Sequence, residues 1–121
     1  MPLVFIVDDE ELVLRSLHRL LSRAGISAFA FSEPEAALAR REERPDLLIC
    51  DYQLPRIDGL TLAREFKHSS PATRTMLLSG GVADEAVATA LSDGTVDAFC
   101  GKPWLFDEML TAVRGLLPPN P

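Results

Sequence analysis

Lysine is scarce in this chain: Lys67 and Lys102 are the only two in 121 residues, and arginine carries the rest of the positive charge. Acidic residues outnumber basic ones, 18 to 12, for a formal net charge of −6. Nonspecific nucleic-acid binding needs a cationic face that displaces counterions, so direct nucleic-acid contact is not expected. Cysteine is as rare. Cys50 and Cys100 make no CxxC or metal-ligand spacing, and they read as small buried hydrophobes in two strands rather than as redox centres. No apolar run approaches the roughly 20 residues that cross a bilayer. Met1-Pro2 leads straight into a strand-like run, without the basic region or cleavage site of a signal peptide. A cytoplasmic location without membrane contact is therefore the expectation. Internal repeats and low-complexity segments are missing too.

What is present suits one ordinary globular domain: 47% hydrophobic and 25% charged residues, enough apolar material for a core. The domain is expected over 1–117. The remaining 118–121, with Pro118, Pro119 and Pro121, can hardly form a helix and read as a linker or tail. Strand-like and helix-like segments alternate five times, the pattern of a doubly wound parallel α/β sheet. Leu3 to Val7, Leu47 to Cys50 and Thr75 to Leu78 are continuously apolar, as strands covered on both faces should be. Ser27 to Phe31 and Ala98 to Cys100 are shorter strands.

Between them, Val13, Leu17, Leu20, Leu21 and Ala24 follow the rhythm of one helix face and stop at Gly25. Ser32 and Glu35 have capping-box spacing for a second helix over roughly 33 to 43, with Pro34 in its first turn. Leu62, Ala63 and Phe66 give the third helix its buried side. Ala83, Ala86, Val87, Ala90 and Leu91 do so for the fourth, and Phe106, Met109, Leu110, Val113, Leu116 and Leu117 for the fifth. His18 and His68 fall in helical segments and read as surface or interface histidines.

The strands end on chemistry. Asp8 and Asp9 end the first, Asp51 the third, Ser79 the fourth and Lys102 the fifth. In an open parallel sheet the carboxyl ends share one edge, where such folds bind ligands. Three clustered carboxylates repel, by on the order of 4 kcal/mol per pair at about 4 Å and an effective dielectric of 20, so Asp8, Asp9 and Asp51 require a cation or a proton. Hard oxygen ligands suit Mg²⁺. Direct contacts are expected from Asp9 and Asp51, one made directly or through water from Asp8, and one from a backbone carbonyl near Gln53. In-line phosphoryl transfer depends mostly on positioning and charge stabilisation. With Lys102 and Ser79 holding phosphoryl oxygens, Asp51 is the expected nucleophile and an acyl phosphate the product.

These residues carry a resemblance. Val7-Asp8-Asp9-Glu10, Asp46 to Asp51, Leu54-Pro55-Arg56-Ile57-Asp58-Gly59, Leu78-Ser79-Gly80 and Phe99-Cys100-Gly101-Lys102-Pro103, in this order and spacing, resemble a response-regulator receiver domain of two-component signalling from Leu3 to Leu117. The resemblance implies a five-stranded sheet in the order 2-1-3-4-5. It also implies a Mg²⁺ requirement and a histidine kinase or histidine phosphotransfer protein as phosphodonor. Ser79 and Lys102 would sense the phosphoryl group, and Phe99 would occupy the aromatic switch position. The face made by the fourth helix, fifth strand and fifth helix would control an output domain or effector, and a homodimer could form through it. Such a domain catalyses only its own phosphorylation and dephosphorylation and is not otherwise an enzyme.

Some features depart from the common pattern. Phe99 lacks the hydroxyl of the more usual tyrosine, and Gln53 is not the commonest residue two past the acceptor. Trp104 replaces a more usual phenylalanine, and Lys102-Pro103-Trp104 resembles receivers joined to cyclic-dinucleotide phosphodiesterase or kinase modules. Gly80-Gly81 suggests a mobile loop into the fourth helix. Lys102-Pro103 is a place for a cis bond, which would aim the ammonium at the site. The rival readings are weaker. A pseudo-receiver, the same fold used as a docking module without phosphorylation, would be expected to have lost members of the set. A haloacid-dehalogenase-type phosphatase would want an acid at position 53, and a serine hydrolase a glycine at position 77.

Overall fold

The computed structural model describes residues 2–119. Met1 and two positions of the expected tail, Asn120 and Pro121, lie outside them. Five strands, β1 (Leu3–Val7), β2 (Ser27–Phe31), β3 (Leu47–Asp51), β4 (Arg74–Ser79) and β5 (Ala98–Gly101), alternate with α1 (Glu11–Arg23), α2 (Pro34–Leu38), α3 (Gly59–Ser69), α4 (Glu85–Asp93) and α5 (Phe106–Leu116). All pairings are parallel and the order is β2-β1-β3-β4-β5. Pro118 and Pro119 are exposed and outside any helix.

Alternation along the central strands divides the core in two. Phe5, Val7, Leu48, Cys50 and Leu77 face Leu62, Ala63 and Phe66 of α3 and Val87 and Ala90 of α4. Val4, Ile6, Leu47, Ile49, Met76 and Leu78 face Leu14, Leu17 and Leu21 of α1 and Met109 and Val113 of α5. Each such large apolar side chain contributes about 1.5–3 kcal/mol when fully buried, so β1, β3 and β4 anchor the fold. Gly25, at φ 77°, ends α1 as expected. The Ile26 N–H donates to Leu21 O at 2.9 Å and the Gly25 N–H to Ser22 O at 3.1 Å, a Schellman-type stop. Asp58 and Asp84 cap α3 and α4, accepting from the Thr61 and Val87 N–H groups at 2.7 and 2.9 Å.

Three helices differ from the sequence expectation. The second spans Pro34–Leu38 rather than 33 to 43, followed by a single 3-10 turn at Arg41–Glu43. Its cap position is Glu33, not Ser32, and makes no side-chain cap bond. Only Pro34 and Ala37 are buried there, so no apolar face holds further turns, and the Arg40 guanidinium instead lies 4.3 Å from the Phe29 ring centre. In α4, only Val87 and Ala90 are buried; Ala83 precedes the helix, and Ala86 and Leu91 are exposed. In α5, Phe106 is exposed because it opens the helix beyond the carboxyl edge of the sheet, past the core.

The opposite edge is knitted by polar groups. Asp97 Oδ2 accepts from Lys67 Nζ and from the Thr75 N–H, both at 2.8 Å. Thr75 Oγ1 donates to Thr95 O at 2.7 Å. Asp46 Oδ2 accepts from the Leu3 N–H at 2.7 Å. These bonds tie α3, β4 and the entry to β5 together, and β1 to β3, at the end remote from the acidic residues.

Candidate functional site

At the carboxyl edge, Asp8 follows β1, Asp51 and Ser79 end β3 and β4, and Lys102 follows β5. Register sets their separation: Asp51 pairs with Leu78 and Ser79 with Gly101. Asp8 is fully buried, Asp51 and Ser79 nearly so, and Asp9 is exposed. One carboxylate oxygen from each of Asp8, Asp9 and Asp51 lies within 4.8 Å of the others. The Lys102 ammonium is 2.9 Å from Asp8 Oδ2, 3.1 Å from Glu10 Oε1 and 3.3 Å from Asp51 Oδ2. Asp8, Asp9, Asp51 and Lys102, which end separate strands in the sequence, therefore meet in one crevice, with Ser79 at the end of the neighbouring strand.

One ammonium among Asp8, Asp9, Glu10 and Asp51 leaves the crevice strongly negative. The Glu10 N–H donates to Asp8 Oδ1 at 2.9 Å. Asp8 Oδ2 is buried and has no aligned hydrogen bond, although Lys102 is near. The ammonium at 2.9 Å offsets the charge of that oxygen and leaves it a lone pair for a second cation. Together with two further hard oxygen donors, that oxygen fits a small divalent cation.

Burial raises the proton affinity of Asp51, and the charge of Asp8 raises it further, against the opposing pull of Lys102 and the Gln53 N–H. Burial also works against the Lys102 ammonium, but the Asp8 and Glu10 carboxylates and the charge of Asp51 outweigh it, so the lysine holds its proton more tightly than usual. A carboxyl whose proton is held more tightly in the folded state adds stability below its unfolded pKa. That stability is lost as pH rises through the folded value. The Asp51 contribution to the stability of metal-free protein should therefore be lost as the pH rises from just above the ordinary aspartate value of 3.8. Asp51→Asn should remove that slope and unfold a few degrees higher at pH 7, the effect of about 1 kcal/mol in a domain of this size. Mg²⁺ should raise the melting temperature of the wild type and much less that of Asp51→Asn. Thermal unfolding in chelator and in Mg²⁺ at several pH values measures both.

Ser79 Oγ accepts from the Gly81 N–H at 3.1 Å and so is engaged by its own loop. Phe99 is half-buried against the cluster on the α3 and α4 side. The Gln53 N–H reaches towards Asp51 Oδ1 at 3.4 Å. Lys102-Pro103 is cis. Trp104 is half-buried and lines a groove with Leu12, Val13, Ser16 and Phe106 beside Lys102. Cys50 is buried and its thiol proton is held tightly, by burial first and then by Asp51, which fits an inert core residue. His68 is exposed and His18 Nε2 lies 3.1 Å from Ala28 O, neither near the crevice residues in sequence or contact.

Several contributors escape a sequence reading. Glu10 looks like an acid at a helix start, yet it holds Lys102. Arg56, at φ 68°, forks onto both oxygens of Glu35 at 2.7 and 2.9 Å. That bond holds the Glu35 carboxyl down at about 2 and ties the loop after Asp51 to α2. Tyr52 Oη donates to Asp84 Oδ2 at 2.8 Å across 32 positions. An ideal Cβ at Gly59 would overlap the Asp51 carbonyl oxygen and lie 2.9 Å from Tyr52 Cα. Only Gly59 carried a signal, as loop punctuation before a helix.

A doubly wound sheet with an acidic, lysine-bearing crevice at its carboxyl edge defines a CheY-like α/β domain. The chain matches the family model of the response regulator receiver domain over residues 4–114, and it belongs to that family. It is 32% identical over 117 residues to the response regulator MprA of Mycobacterium avium (strain 104), covering 94% of this chain and 50% of that protein. The chain thus spans about half the length of the curated relatives it matches. Among solved structures it is similar to the signal receiver domain of an HD domain-containing protein from Pseudomonas fluorescens Pf-5. The TM-score is 0.87 at 31% identity, over 95% of this chain and 93% of that one. It is also similar to a Burkholderia pseudomallei response regulator protein described with a phosphorylated aspartic acid, a calcium ion and citrate. There the TM-score is 0.81 at 25% identity, over 93% of this chain and 66% of that one.

Proposed function

We propose that this receiver domain accepts one phosphoryl group on Asp51 from a phosphohistidine of a histidine kinase or histidine phosphotransfer protein, and later loses it by hydrolysis. The observation that carries the reading is the convergence of Asp8, Asp9 and Asp51 oxygens within 4.8 Å of one another, with Lys102 3.3 Å from Asp51. The phosphorylated aspartic acid of the Burkholderia relative supports it.

One oxygen of the Asp51 carboxylate attacks phosphorus. The new O–P bond forms as the P–N bond to the donor imidazole breaks, and the imidazole leaves with the electron pair and takes a proton from solvent. Lys102 turns part of its charge from the carboxylates to a phosphoryl oxygen, and the Ser79 hydroxyl meets another. Mg²⁺, held by Asp8, Asp9, Asp51 and the Gln53 carbonyl, would offset the charge that gathers on those oxygens. Leu12 and Phe106, large and exposed beside Lys102, form the apolar approach for a protein donor. Phe99 and the α4-β5-α5 face then carry the change to an output domain or effector, or to a second copy of the chain. An HD-type output is one candidate, as in the Pseudomonas relative.

Intact protein incubated with acetyl phosphate and Mg²⁺ should gain the mass of one phosphoryl group, and Asp51→Asn should gain none. An unchanged wild-type mass with both acetyl phosphate and a phosphohistidine protein would replace this reading with that of a phosphorylation-independent docking module.

A further inference from the structure

The connection from β4 to α4 touches little. Gly80 to Ala83 are exposed, and Val82 is 90% exposed. A Cβ at Gly80 would meet nothing within 4 Å, and one at Gly81 only Ser79 Oγ, at 3.8 Å. The helix that follows buries only Val87 and Ala90. Its position is therefore weakly fixed by packing. Among the described residues, two side-chain hydrogen bonds hold this stretch to the body of the domain. The Gly81 N–H donates to Ser79 Oγ at 3.1 Å, and Tyr52 Oη donates to Asp84 Oδ2 at 2.8 Å.

Tyr52 is a firm post. Its N–H donates to Leu78 O, and its carbonyl accepts from the Gly59 N–H, both at 2.8 Å. Its ring packs on the core beside α3. Asp84 is the cap of α4, with Oδ1 on the Val87 N–H, so the tyrosine grips the helix by its first turn. The proton affinities agree: the Tyr52 hydroxyl holds its proton more tightly than usual through the bond to Asp84. The Asp84 carboxyl is held below its ordinary range, by the Val87 N–H first and then by Tyr52.

We propose that Tyr52 is a positioning residue that couples the phosphoacceptor loop to α4, its hydroxyl holding the helix in the position seen here and opposing its displacement. The inference rests on Asp51 as acceptor and Ser79 as the group that turns to it. A Ser79 that rotates towards Asp51 releases Gly81, and the Tyr52–Asp84 bond is then the remaining one of these two side-chain hydrogen bonds, beside the packing of Val87 and Ala90. Removing it weakens the unphosphorylated state selectively, and by linkage tightens whatever binds the other state.

Two measurements on the intact chain test this. In metal-free, unphosphorylated protein, Tyr52→Phe should speed amide exchange in residues 81–91 while leaving β1 and β3 unchanged. Calorimetric titration with beryllium fluoride in Mg²⁺, a phosphoryl mimic, should show up to about fivefold tighter binding to Tyr52→Phe, the value of one ordinary hydrogen bond. Asp84→Asn, which keeps a competent cap, should give a smaller effect in the same direction. Adding Tyr52→Phe to Asp84→Asn should then change less than it does in the wild type. A purely structural tyrosine would lower stability and leave the affinity unchanged or weaker. That result, or unaltered exchange near α4, overturns the proposal. A wild type that binds no beryllium fluoride and takes no phosphoryl group overturns the acceptor reading and the coupling with it, and the exchange data alone then decide the tether.

Discussion

Lys102→Met is expected to lower the stability of the metal-free domain by about 3 kcal/mol at neutral pH and to slow phosphoryl uptake on the order of 100-fold. Methionine keeps most of the stem and removes the charge, so the loss isolates the ammonium. That ammonium faces Asp8, Glu10 and Asp51 within 3.3 Å. Without it, a fully buried carboxylate and a nearly buried one face each other uncompensated. The low end of the range for a broken buried pair applies, because Asp51 can take a proton. Lys102 is one of the influences that hold the Asp51 proton affinity down. Its removal raises that affinity further, so the variant should regain stability as the pH falls and lose it again as the pH rises through the new value. Mg²⁺ should restore part of the loss. Urea unfolding at neutral and mildly acidic pH, with and without Mg²⁺, gives the stability, and acetyl phosphate labelling gives the rate. Wild-type stability in metal-free buffer at pH 7 would mean that the lysine is not the counter-ion of this crevice.

Gly59→Ala is the second large effect, at about 2 kcal/mol net destabilisation. Two contributions oppose each other. Alanine is favoured over glycine in a helix by up to about 1 kcal/mol, and Gly59 opens α3. Against this, the new methyl would overlap the Asp51 carbonyl oxygen and lie 3.0 Å from its carbon. Forced overpacking costs about 1–3 kcal/mol, occasionally more. Here the obstacle is backbone, and it cannot swing away: Tyr52 is bonded to Leu78 O on one side and to the Gly59 N–H on the other. The steric cost wins. Because the strained segment contains Asp51, phosphoryl uptake should fall together with stability. Gly80→Ala is the control, since its Cβ meets open space and should change stability by less than about 0.5 kcal/mol. Chemical denaturation of the two variants separates close approach from a general intolerance of alanine.

Much of this was readable before any coordinates. Parallel strands buried on both faces must be apolar throughout, so Val7, Cys50 and Leu78 announce where strands stop, and the sheet brings whatever follows them to one edge. Asp8, Asp51, Ser79 and Lys102 were legible for that reason. Periodicity, however, reports which helix face is apolar and not how far it is covered. Leu91 and Phe106 satisfy the pattern and remain exposed, Phe106 because it opens α5 past the carboxyl edge of the sheet. The short α2 shows the same limit: a capping-box spacing at Ser32 and Glu35 cannot prolong a helix with nothing apolar to bury. Bonds such as Tyr52 to Asp84 and Arg56 to Glu35 join single polar residues far apart in the chain, and no local signal marks them.

The knot of Lys67, Asp97 and Thr75 gives β5 a clamped root at the edge remote from the crevice. Its other end carries Lys102 and the start of α5 on a strand that is only half covered. That end is held as well: the Lys102 N–H donates to Ser79 O at 2.8 Å, and its ammonium lies within 3.3 Å of Asp8 and Asp51. With both ends of β5 anchored, a change of charge on Asp51 alters the load on one anchor and leaves the other untouched.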